Sequence, residues 1–145
     1  MISIDTNLLL YSLNPASIWH EAAVGFLRQN LGVQAVRVAL TDYVLVELYV
    51  LLRNPAVMAK ALTAKATRDL VTAYWDVPNV LRVENANVMD EVWRLAGGRD
   101  FARRRIFDAR LALTLRQGGV TQFATANVKD FEGWGFEKVW NPLIP

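Results

Sequence analysis

Short apolar runs rich in β-branched residues alternate with longer stretches of helical period, and that alternation most constrains the fold. Ile2 to Ile4, Val36 to Leu40, Val80 to Val83, Val120 to Thr125 and Phe136 to Val139 read as strands. Leu8 to Leu13 reads as a helix stopped by Asn14-Pro15, and Ile18 to Leu31 as a second ending before Gly32. Asp42 is the expected N-cap of a third helix through Arg53, which Asn54-Pro55 terminates. Thr63 to Tyr74, Asn87 to Ala96 and Ile106 to Gln117 repeat the helical pattern, the last two closed by Gly97-Gly98 and Gly118-Gly119. Strands alternating with helices predict an α/β fold with a short, mostly parallel sheet of four or five strands covered on both faces. No linker, repeat or low-complexity stretch interrupts the 145 residues, so residues 1–145 are expected to form a single domain.

Open sheets of this kind bind ligands at the carboxyl ends of their strands. Asp5 falls there, directly after the first apolar run. Charged side chains are rarely buried without a partner, so a carboxylate delivered by a buried strand calls for a chemical reason. Glu47 repeats the problem inside Tyr43 to Leu52, a helix apolar on nearly every face and therefore expected to be buried; the competing reading is a structural salt bridge to an arginine. Asp108 precedes Leu111, Ala112 and Leu115 on one helical face, at the end where the helix dipole favours an anion. Asp130 lies just after the fourth strand, where capping or turn formation competes equally with ligation. With Cys absent and His20 the one imidazole, on an amphipathic helix, zinc is disfavoured. Oxygen-rich clusters suit Mg²⁺ or Mn²⁺.

Composition removes other classes. Hydrophobic residues make up 53% of the chain, enough for a sizeable core, yet no apolar run reaches the length of a membrane span. The absence of a signal-peptide pattern and of cysteine fits a cytoplasmic protein. The net charge of +2 does not by itself diagnose nucleic-acid binding. Arginines concentrate between Arg94 and Arg116, however, and guanidinium forks suit phosphate. The five tryptophans read as core or interface rather than as base-stacking platforms.

Four segments, in order, resemble the motifs of PIN-domain ribonucleases, most closely the VapC-type toxins of bacterial and archaeal toxin–antitoxin pairs. These are Met1 to Asn7, Val46 to Leu48 with Leu52 to Pro55, Phe107 to Ala112, and Thr125 to Asn127 through Asp130-Phe131. The resemblance spans essentially the whole chain. It implies a three-layer α/β/α sandwich, a Mg²⁺ or Mn²⁺ site and endonucleolytic hydrolysis of RNA. The family's three core acids map onto Asp5, Glu47 and Asp108, its hydroxyl positions onto Thr6 and Thr125. Its fourth acidic position falls on Asn127, an amide here, which leaves Asp130 as the possible substitute.

On that resemblance Asp5, Glu47 and Asp108 hold the metal, and Arg104, Arg105 and Lys129 neutralise RNA phosphates. The partners it implies are a small cognate antitoxin, seated in an apolar groove, and a second copy in a homodimer. Two other readings compete. A phosphatase with Asp5 as nucleophile would ordinarily need an acid two residues on, where the chain has Asn7. A non-catalytic PIN-like RNA- or protein-binding module would be expected to have lost a core acid, and all three are present.

Overall fold

The computed structural model describes residues 1–84 and 86–145. Its strands are β1 (Ile2–Ile4), β2 (Val38–Thr41), β3 (Val80–Val83), β4 (Gln122–Ala124) and β5 (Lys138–Trp140). Its helices are α1 (Thr6–Leu13), α2 (His20–Asn30), α3 (Asp42–Leu52), α4 (Ala64–Thr72), α5 (Met89–Ala96), α6 (Arg105–Gln117) and α7 (Val128–Phe131), with a 3-10 turn over Ala73–Asp76. The strands form one sheet in the order β3-β2-β1-β4-β5, and every pairing is parallel. The first strand of the chain is therefore the central one. Ile2 lies opposite Val38 on one side and Gln122 on the other.

Alternation along β3 identifies the two outer layers, because successive strand residues point to opposite faces. The Arg82 guanidinium reaches Asp42 of α3 at 2.6 Å and lies over Trp75, whereas Val83 packs against Gly118 at the end of α6. Helices thus cover both faces, giving the α/β/α sandwich. The core joins Ile4, Leu8 and Leu9 to Val38, Leu40, Leu48, Leu52, Leu115 and Phe123, all with essentially no exposed surface. A satellite cluster of Val88, Val92 and Ala109 packs α5 against α6.

Local chemistry moves several boundaries. Helix α1 begins earlier than its leucines suggest, because the Asp5 side chain caps it by accepting from the Thr6 N–H. Thr41, not Asp42, caps α3: its hydroxyl accepts from the Val44 N–H at 3.3 Å, while Asp42 is the first helical residue and pairs with Arg82. Asp130 sits within α7 rather than in an open loop. No helix among the described residues is long and apolar enough to cross a membrane.

Candidate active site

The sheet's carboxyl edge is assembled from segments remote in sequence. The Asp5 N–H continues the β1–β4 ladder by donating to the Ala124 carbonyl at 2.9 Å, which fixes the acid at the strand tip. Its Oδ1 accepts from the Thr6 N–H at 2.8 Å. Its Oδ2 accepts from the Thr125 hydroxyl at 2.6 Å and from the Asn7 amide at 3.1 Å. Asn7 also accepts from the Ala126 N–H at 3.2 Å and so ties α1 to the turn after β4. The Thr125 hydroxyl, in turn, accepts from the Asn127 N–H at 2.9 Å. These neutral donors orient the carboxylate without neutralising it.

Burial therefore dominates. It pushes the Asp5 carboxyl up to about 6, against the lowering effect of hydrogen bonds from Thr125 and Thr6, with Glu47 and Asp108 raising it further. Asp108 lies in the first turn of α6 and is also raised, first by burial and then by Asp130; Arg105, Glu47 and Arg104 act on it too, the two arginines in the opposite sense. Asp5, Glu47, Asp108 and Asp130 thus share one electrostatic neighbourhood. Glu47 is linked to it directly, since the Thr6 hydroxyl donates to its Oε2 at 3.2 Å.

The donor set fits a hard cation. None of these acids takes part in the ion pairs among the described residues, which join Lys65 and Arg68 to Asp69, Arg82 to Asp42, and Arg94 to Glu91. A buried carboxylate with further acids acting on it and no ion-pair partner among the described residues offers hard oxygen donors, the ligand type that Mg²⁺ and Mn²⁺ prefer. Among the described residues no three His, Cys, Asp or Glu side chains stand close enough together to hold a metal ion as they are placed. The 560 Å³ groove lined by Met1, Leu81, Val83 and Thr114 contains none of these acids.

No protein-family model matches the chain. Ribonuclease VapC24 of Mycobacterium tuberculosis is 46% identical to it over 143 residues, covering 99% of this chain and 97% of the relative. The chain belongs to the VapC ribonucleases. Two solved structures carry the same fold. VapC20 of M. tuberculosis, described as a sarcin–ricin loop cleaving toxin, superposes with a TM-score of 0.69 at 18% identity, covering 94% of this chain and 96% of its own. VapBC2 of Rickettsia felis, bound to a DNA fragment from its promoter, gives 0.59 at 16% identity, covering 97% and 98%. The chain is a PIN-domain VapC toxin and a hydrolytic ribonuclease.

Within this VapC frame, Asp5, Thr6 and Thr125 are buried together at the edge, with Asn7 between them. Glu47 departs from expectation. It is exposed, because α3 turns Val44, Leu45, Leu48 and Leu52 inward and leaves Val46 (64% exposed), Glu47 and Val50 (58%) outside. The valines on the outer face made a one-sided helix look buried all round. Asn127 is exposed, and its contact with the group is made by its backbone N–H. Asn7 was missed as a site residue; the signal was an amide two residues after a strand-tip acid.

The arginines between Arg94 and Arg116 make different contacts. Arg94 pairs with Glu91, and Arg116 donates to the Val120 carbonyl. Arg110 stacks on Tyr43, 3.8 Å from the ring centroid, with its Nε buried and unpartnered. Arg104 and Arg105 remain beside Asp108 at the start of α6. Lys129 is exposed on α7.

Proposed function

We propose that this carboxyl edge is a divalent-metal-dependent endoribonuclease site in which Asp5, Glu47 and Asp108 hold Mg²⁺ or Mn²⁺. The observation that carries the reading is the buried, oriented Asp5 carboxylate, to which no cationic side chain among the described residues is paired. Asp130 adds a further acid acting on Asp108, and at the family's fourth acidic position Asn127 carries an amide in place of a carboxylate. A bound divalent ion supplies activation of the attacking water and polarisation of the phosphoryl oxygen. Thr125, Asn7 and Thr6 keep the acids oriented, so the charge is in place before substrate arrives. Arg104, Arg105 and Lys129 offset the repulsion between these acids and an incoming RNA backbone.

The partner implied by the family is a small antitoxin, and the exposed Val46, Val50 and Phe107 provide apolar surface beside the acids for it to cover. A cytoplasmic homodimer completes the proposal. The test is cleavage of a mixed panel of structured and unstructured RNAs. Activity is expected with Mg²⁺ or Mn²⁺ and none with EDTA, restored when the ion is returned. Full cleavage in EDTA would overturn the metal reading.

A further inference from the structure

Trp134 lies between α7 and β5, half-buried and packed against both apolar clusters. Its indole N–H donates to the Asp130 carbonyl at 3.0 Å. The Arg105 guanidinium lies over the same ring, 4.9 Å from the centroid. One side chain therefore holds the backbone of one acid and the charged head of one arginine, and both of those residues act electrostatically on Asp108.

Arg105 is three residues from Asp108 on α6, a spacing at which side chains on a helix surface are neighbours. An arginine so placed would ordinarily fold onto a carboxylate. Arg105 makes no ion pair among the described residues; the ion pairs there involve Lys65, Arg68, Arg82 and Arg94. Stacking on an indole satisfies the face of a guanidinium and leaves its in-plane N–H donors open to a planar or tetrahedral anion.

We propose that Trp134 is a positioning residue for substrate: it holds Arg105 on its ring, so that the arginine fork is available to an RNA phosphate entering beside Asp108 instead of collapsing onto the acids. This rests on the ribonuclease-site reading above and specifies which cation meets the phosphate and what keeps it ready. The indole bond to Asp130 couples the same bracket to α7, the helix that follows β4.

The test is a double-mutant cycle on the full chain, with a labelled single-stranded RNA of mixed sequence as probe. Trp134→Leu, Trp134→Phe, Arg105→Gln and the two combinations are compared. Binding is measured in an Asp5→Asn background, where the RNA is expected to stay intact, and cleavage is measured without that change. Trp134→Leu is expected to weaken binding by about the same factor as Arg105→Gln, roughly threefold to tenfold, and to flatten the salt slope by about 0.7, one phosphate contact on a single strand. KM should rise by a similar factor with kcat within about twofold, the signature of lost uniform binding. In the Arg105→Gln background the tryptophan changes should have no further effect. Trp134→Phe, with a weaker ring, should show a smaller loss that also vanishes there, and it decides the matter if the leucine variant does not fold. Equal effects with and without Arg105, or an unchanged salt slope, would overturn the inference and leave the site reading standing. Failure of the wild-type chain to cleave RNA with Mg²⁺ or Mn²⁺ would overturn both.

Discussion

Replacing Asp5 by asparagine removes a charge that the fold holds at a cost, and the structure gives the size of the effect. Burial raises the Asp5 carboxyl from 3.8 to about 6. A raised acid binds its proton more tightly when folded, so between those values the native state carries more protons and stability falls as pH rises. At about 1.4 kcal/mol per pKa unit, metal-free wild-type protein should lose roughly 2–3 kcal/mol from this group between about pH 4 and pH 8. Asparagine has no such titration. It also fits less well, since Oδ2 accepts from both Thr125 and Asn7, and an amide nitrogen turned to that side would face the Asn7 amide. A lost or reversed buried hydrogen bond costs about 1–3 kcal/mol. Asp5→Asn should therefore be the less stable protein near pH 4 and match or exceed wild type near pH 8, while its metal-dependent RNA cleavage is lost. Urea unfolding of both proteins in EDTA across that range measures the difference directly. A stability difference that stays constant from pH 4 to pH 8 would refute the argument that an uncompensated buried charge resides at Asp5, and undiminished cleavage by Asp5→Asn would refute its part in catalysis.

Glu47→Gln keeps an oxygen that can accept from the Thr6 hydroxyl, so any change reports the charge. Ion at a hundredfold excess over Kd should stabilise wild type by about 2.7 kcal/mol and the variant by less; equal rises in Tm on adding Mn²⁺ would return Glu47 to a structural role. Gly118→Ala should destabilise by about 1–3 kcal/mol, because the added carbon would meet Val83 Cγ1 at 2.7 Å across the junction of α6 and β3. A thermal melt matching wild type would show that this junction yields.

The sheet was legible because strand-forming runs and helical periods alternate without interruption, and a chain so patterned has few arrangements open to it. Capping chemistry was harder to read. Thr41 and Asp42 are both good caps; in the fold Thr41 takes the cap while Asp42 pairs with Arg82, a residue of another strand. The acids at 5 and 108 stand out in the sequence because each is set against apolar neighbours. Glu47 stands out in the sequence for a reason the fold corrects: its helix looked uniformly apolar, yet the acid lies on an outward face beside the exposed Val46 and Val50. The roles of Asn7 and Trp134 were not legible, because each depends on who sits across the fold, Thr125 and Ala126 for one, Arg105 and Asp130 for the other.

The central position of β1 has a consequence for a cell that makes such a toxin. Asp5 is held by Thr125, 120 residues further along the chain, and β1 pairs with β4 on the side that completes the acid's seat. At the ribosome's pace of about 5–20 residues per second, roughly 6–24 s separate the synthesis of the acid from that of the hydroxyl that orients it. Until then the Asp5 N–H lacks the Ala124 carbonyl to which it donates in the fold, and the carboxylate lacks the Thr125 hydroxyl. The strand that opens the chain thus waits for nearly the whole of synthesis before the neighbour that seats its acid exists.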